Sequence, residues 1–177
     1  MVNLDCEKLI RNVYDDISTR YQLARGSDLS LGLRNVARLE KGVLNVDYFG
    51  YNFRIKFKDN NGGYFEIDIS SPSKGIEEIV GYVKSQVETG QVFSESGFLS
   101  SIGKRREFRK YPKRFEFAEA TEKIGEDDSG RKIPVLHVLY KVDKKRLAKL
   151  NSSSFRETAS DYVVKPILSW VWVHRKK

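Results

Sequence analysis

Tyr51-Asn52-Phe53-Arg54-Ile55-Lys56-Phe57-Lys58, followed by Asp59-Asn60-Asn61-Gly62-Gly63 and then Phe65-Glu66-Ile67-Asp68-Ile69-Ser70, is the stretch that decides the fold. Tyr51, Phe53, Ile55 and Phe57 alternate with Asn52, Arg54, Lys56 and Lys58. Side chains on a strand point to opposite faces with a period of two, so this is a strand with one apolar and one wet face. Phe65, Ile67 and Ile69 repeat the pattern against Glu66, Asp68 and Ser70. The Asp, Asn and Gly residues between them tolerate a positive φ, which joins the two runs as a hairpin.

On the N-terminal side, Leu9, Ile10, Val13, Ile17 and Tyr21 recur at helical spacing with charged residues on the other face. They predict an amphipathic helix over 5–23, with Gly26 placed to stop it. Glu40-Lys41-Gly42 reads as a turn ahead of a strand from Val43 to Tyr48. On the C-terminal side, Pro72-Ser73 opens a second helix whose apolar stripe is Ile76, Ile79, Val80, Val83 and Val87, closed by Gly90. Residues 91–103 read as an ordered loop or extended arm, and Gly125 to Arg131 as an exposed turn before a buried strand from Ile133 to Tyr140. Asp143 caps a short helix over 144–150, and Ser154 and Glu157 have capping-box spacing for another, which Pro166 interrupts. Ile167 to Val173 is rich in β-branched and aromatic residues and favours a strand over a helix. These elements predict a single α+β domain over 1–177, with a twisted, mostly antiparallel sheet, helices packed against it, and a basic loop or arm at about 91–118.

The 177 residues are 40% hydrophobic and 32% charged, enough for a core, and contain no apolar run long enough to cross a bilayer. Met1 to Ile10 carries acids and no continuous apolar stretch, so the expectation is a chain without a secretory signal that stays in the cytoplasm where it is made. One cysteine, Cys6, and two distant histidines, His137 and His174, exclude an intrachain disulfide, a zinc cluster and a Cys-x-x-Cys redox pair. No Gly-Lys-Ser/Thr motif is present, so nucleotide binding through a phosphate loop is not expected, and no cofactor is implied.

The net charge of +8 is unevenly placed: residues 1–90 hold 12 Lys+Arg against 13 Asp+Glu, and residues 91–177 hold 20 against 11. A field of this sign attracts polyanions. Seven of those cations, Lys104, Arg105, Arg106, Arg109, Lys110, Lys113 and Arg114, fall in twelve residues with Phe108, Tyr111 and Phe115. Three readings stand side by side. The cations contact phosphates while the aromatics stack on bases, or the stretch docks on an acidic protein surface with aromatic anchors, or it is a strand whose aromatics enter the core. Glu66, Asp68 and Asp47 are the only carboxylates arranged on strands so as to suggest a divalent-metal nuclease, and the competing reading pairs them with Arg54 or Lys56 across the hairpin. His137, inside an apolar run, reads as a buried, hydrogen-bonded structural histidine rather than a general base, and no catalytic residue is assigned.

From Ser27-Asp28-Leu29-Ser30-Leu31-Gly32-Leu33-Arg34-Asn35-Val36, through the strand Val43 to Tyr48, to Tyr48-Phe49-Gly50-Tyr51-Asn52-Phe53, the chain resembles the tail-completion or neck proteins of tailed bacteriophages. The resemblance extends over residues 1–90. It implies a non-enzymatic structural virion protein, a subunit of the neck or tail-connector ring joining head to tail, made in the host cytoplasm. Its partners would be further copies in a homo-oligomeric ring and neighbouring virion proteins, with possible DNA contact and no membrane. The alternative is a basic nucleic-acid-binding protein that uses the 104–115 stretch.

Overall fold

The computed structural model describes residues 5–25, 35–59, 63–73, 75–89, 91–93, 108–110, 117–142 and 164–175. Helix α1 (Cys6–Arg20) starts at Asp5, whose side chain accepts from the Lys8 amide at 3.0 Å, satisfying one of the helix's free N–H groups. It stops five residues before Gly26. Gln22 takes the left-handed conformation (φ 53), and the Leu23 and Gln22 amides donate back to the Ser18 and Thr19 carbonyls. This is a Schellman closure built on a glutamine where glycine is usual.

Strands β1 (Ala24–Arg25), β2 (Val36–Glu40), β3 (Val43–Tyr48), β4 (Tyr51–Asp59) and β5 (Gly63–Ser70) are followed by helix α2 (Glu77–Thr89). Then come β6 (Gln91–Phe93), β7 (Phe108–Lys110), β8 (Phe117–Glu126), β9 (Lys132–Val142) and helix α3 (Val164–His174). Seven strands form one sheet in the order β1-β2-β3-β4-β5-β9-β8, while β6 and β7 pair separately. Only β1 against β2 is parallel; the rest of the sheet is antiparallel. The β2–β3 and β3–β4 turns have two central residues each at positive φ, Lys41-Gly42 (50 and 75) and Phe49-Gly50 (47 and 85). That is the turn geometry that matches the strand twist of a two-residue hairpin. The expected β4–β5 hairpin forms, and its register sets Phe53 opposite Ile69, Ile55 opposite Ile67 and Phe57 opposite Phe65.

The apolar face of this sheet carries Leu44, Val46, Tyr48, Phe53, Ile55, Phe65, Ile67, Ile69, Leu136, Val138 and Tyr140, all buried in one cluster with residues of the three helices. Helix α1 covers β2 to β4 and α2 lies beside β8. Helix α3 lies between α1 and α2. Tyr21, just past α1, donates its hydroxyl to the Lys165 carbonyl at 3.0 Å and stands 2.8 Å from Ser169 Oγ, and Lys165 pairs with Asp16 at 2.9 Å. On the α2 side, Tyr82 stacks on Trp170 with ring centroids 5.4 Å apart. Burial pushes the Tyr21 phenol up to about 12, against the opposing hydrogen bond of Ser169, so it remains a donor at any physiological pH.

The strand expected over 167–173 is therefore a helix. Pro166, Ile167, Leu168, Ser169, Trp170 and Val171 are consecutively buried. A helix enclosed on all sides shows the same unbroken apolar run as a buried strand, so periodicity does not separate them. Pro166 does not interrupt it either. The proline sits in the first turn, where its missing N–H would have had no helical acceptor. The second helix starts at Glu77, later than Pro72-Ser73 suggests. The helices expected over 144–150 and from Ser154 lie outside the described residues, as does Gly26. Among the described residues no helix is long and apolar enough to cross a membrane.

Two substitutions test this packing. Leu168→Ala, which empties space at the centre of the helical layer, is expected to lower unfolding free energy by about 2–5 kcal/mol in urea titration. Gln22→Gly, which relieves the left-handed position, is expected to raise it by about 0.5–1 kcal/mol. An unchanged midpoint for the first would mean α3 is not in the core.

Candidate interaction surface

The register of the strands fixes what the second face of the sheet presents. Asp47 lies opposite Asn52, Asn45 opposite Arg54, Arg54 opposite Asp68, Asp68 opposite His137, and His137 opposite Thr121. One row along, Val43, Lys56, Glu66, Leu139 and Glu119 follow one another across the strands. These side chains are half-buried or exposed, in contrast to the closed apolar face.

Each acid on this face has its own partners. Asp47 accepts from Arg38 Nη2 at 2.9 Å and from Asn52 Nδ2 at 2.7 Å, which ties β2, β3 and β4 together. Glu66 pairs with Lys58 at 2.8 Å, diagonally across the hairpin rather than with Lys56 directly opposite. Asp68 turns away from Arg54. Its Oδ1 accepts from His137 Nδ1 at 2.7 Å on β9 and from Lys123 Nζ at 3.3 Å on β8. Asp47, Glu66 and Asp68 are thus distributed among three separate sets of cations, and among the described residues no three His, Cys, Asp or Glu side chains are grouped to hold a metal ion.

His137 is the clearest departure from expectation on this surface. It stands in the predicted strand, but its ring faces the open side with 30% of its side chain exposed instead of lying in the core. An ionised carboxylate can only accept, so Nδ1 carries the shared proton and the other ring nitrogen, Nε2, is left for solvent or a partner. Burial alone would raise the Asp68 carboxyl; the hydrogen bonds and charges of His137 and Lys123 outweigh it and hold the group below the ordinary carboxylate value. The cluster therefore fastens β5, β9 and β8 side by side through one oxygen.

Of the basic stretch, the structure describes Phe108, Arg109 and Lys110, the strand β7, paired antiparallel with β6 so that Phe108 meets Phe93, Arg109 meets Val92 and Lys110 meets Gln91. Strand β6 runs beside α2 and α3. This places β7 with the helical layer and away from the Asp68 cluster. Lys104, Arg105, Arg106, Tyr111, Lys113, Arg114 and Phe115 lie outside the described residues. At the end of α3, His174 stacks on Trp170 at 4.2 Å, and Arg175 lies 3.7 Å from the Trp172 ring centroid and 5.9 Å from that of Phe49. Arg175 sits at a helix C-terminus, where the backbone dipole favours positive charge, and it links α3 to Phe49 in the β3–β4 turn. Cys6 is half-buried, and burial, then Asp59 and Asp5, push its thiol up, which keeps it protonated and unreactive.

Sequence reading missed β8. Its residues, Phe117 to Glu126, include two Ala, three Glu and one Lys and have no large apolar side chains repeating at alternate positions. The one signal that could have exposed it is the turn that follows. Asp127 accepts from the Ser129 and Arg131 amides and from the Arg131 guanidinium, with Gly130 at φ 78, a connection that requires a strand on each side.

In comparisons with known proteins, the chain matches no family model, no curated protein and no solved structure.

Asp68→Asn is expected to cost about 1–2 kcal/mol of stability at neutral pH, since hydrogen bonds to a charged group are lost from a half-exposed site. A carboxyl with a lowered folded value stabilises above its unfolded value, near 4, and this contribution disappears as pH falls through the folded value. Urea titrations of parent and variant should therefore differ clearly above about pH 5 and converge in acid. A difference that persisted at pH 2 would show that the ionised carboxylate is not what matters.

Proposed function

We propose that the chain is a non-enzymatic assembly protein, and that its specific place is as a subunit of the neck or tail-connector ring of a tailed phage. The observation that carries the non-enzymatic part is the pairing of Asp47, Glu66 and Asp68. The carboxylates best suited to chemistry are each engaged by different cations, in three sets that hold neighbouring strands together. Side chains used in this way define a surface rather than a reaction site.

The order of elements supports the narrower part. An N-terminal helix followed, after residues 27–36, by the strands β3 and β4 matches the order of helix, segment and two strands in the tail-completion and neck proteins that residues 27–57 resemble, with β1 and β2 additional to it. A ring of this kind repeats one head-to-tail interface until it closes. The basic extension at about 91–118 would reach a neighbouring subunit or DNA in the channel, and β7, held beside the helical layer through β6, is its anchored part. The virion would be its final location, after synthesis in the host cytoplasm.

Light scattering of the full chain at low and high salt, with and without a short duplex DNA, tests this reading. A discrete oligomer whose mass is indifferent to salt is expected. A small species that takes up the duplex at low salt and releases it steeply as salt rises would contradict it and transfer the function to Lys104 to Arg114 as a phosphate-binding stretch.

A further inference from the structure

The two edges of the sheet are not alike. At one end is β1, two residues long, too short to template another strand. At the other is β8, ten residues paired with β9 in one unbroken register from Phe117 opposite Lys141 to Glu126 opposite Lys132, without a bulge. It contains no proline. Thr121, Glu122 and Lys123 are exposed, and Ile124, 69% exposed, is the one exposed large hydrophobic side chain among the described residues. Natural sheets blunt long edges by shortness, proline, a bulge or charged side chains; β8 has only the last, and its charges are of both signs.

We infer that β8 is the contact between two copies of this chain, which pair antiparallel across a two-fold axis at Thr121. The pattern of charge along the strand selects the partner and the register. Glu119, Thr121 and Lys123 lie on the open face, where Lys123 reaches Asp68; Ala118, Ala120, Glu122 and Ile124 lie on the helical side, where Glu122 pairs with Lys84 of α2 at 2.7 Å. With Thr121 opposite the partner subunit's Thr121, Glu119 of each copy faces Lys123 of the other, and Ile124 of each faces Ala118 of the other. Opposite charges and threonine pairs directly across an antiparallel pair stabilise it; the Glu119–Lys123 pair occurs twice because the contact is isologous, and the Thr121 pair once, on the axis. Moving the axis to Ala120 sets Glu119 against Thr121 and Ala118 against Glu122, and moving it to Glu122 sets Thr121 against Lys123 and Glu119 against Gly125; either move loses both ion pairs. Lys123 keeps Asp68 while it does this, since an ammonium has three donors and 48% of its side chain is exposed. The contact does not depend on the ring reading: a ring closes head to tail, whereas this pairing is two-fold.

Sedimentation of the full chain from micromolar to millimolar concentration, with two variants, tests the inference. The parent is expected to form a dimer of twice 20.4 kDa or, where the ring also forms, a larger assembly that contains this pair. Glu119→Lys and Lys123→Glu should each weaken it by at least about tenfold, because like charges then face each other twice. An equimolar mixture of the two should recover the dimer, because every facing pair is again opposite in sign. Thr121→Cys in a Cys6→Ser background reads the register separately: the two thiols meet across the axis and should oxidise to a covalent dimer. A larger assembly that crosslinks at this position also supports the contact. A parent monomeric throughout the range would overturn it, as would an oligomer unaffected by Glu119→Lys that does not crosslink through Thr121→Cys.

Discussion

The register of β4 on β5 is the constraint on which the rest depends. Ile55 opposite Ile67 and Phe53 opposite Ile69 place one set of side chains under the helices, and the same pairing places Arg54, Lys56, Glu66 and Asp68 on the other face. Because side chains alternate, a slip of a single residue would exchange the two sets and bring charges into the core. Each fully buried Ile or Phe contributes about 1.5–3 kcal/mol, so such a slip is prohibitive. The ion pairs on the open face follow from this register and reinforce it, with Asp47 joining β2, β3 and β4, and Asp68 joining β5, β9 and β8.

Much of this was legible in the residues, and the reasons differ by element. The hairpin and α1 have clear periods, and the strand 133–140 shows as a short apolar run. Helix α3 does not, because a segment buried all round has no polar side to mark its turn, and Pro166 suggests a break that a first-turn position does not cause. Strand β8 was hidden for the opposite reason. An edge strand with alanines inside and charges outside needs no large apolar residues, and its composition is that of a good helix. His137 was misplaced because its neighbours Leu136 and Val138 are apolar, although alternation alone puts it on the opposite face from both.

The candidate surface was less legible still. Asp68 was singled out, but its partners on β9 and β8 are 69 and 55 positions away in sequence, and only the order β5-β9-β8 brings them together. Glu66 and Asp68 look alike on the strand, yet one turns toward Lys58 and the other toward His137. Among the described residues the protein has one closed apolar face, one polar face whose charges are largely matched to one another, and one long strand at the end of the sheet.

Native-state amide exchange of the full chain tests this account of the fold most directly. If one core is organised by the β4–β5 register and filled by α3, amides of β4, β5, β9 and α3 should share the slowest exchange, opened only by global unfolding, while β1 exchanges fast. Exchange of the α3 amides well before those of the central strands would contradict it, because α3 would then be an attachment to the sheet and not the middle of its core.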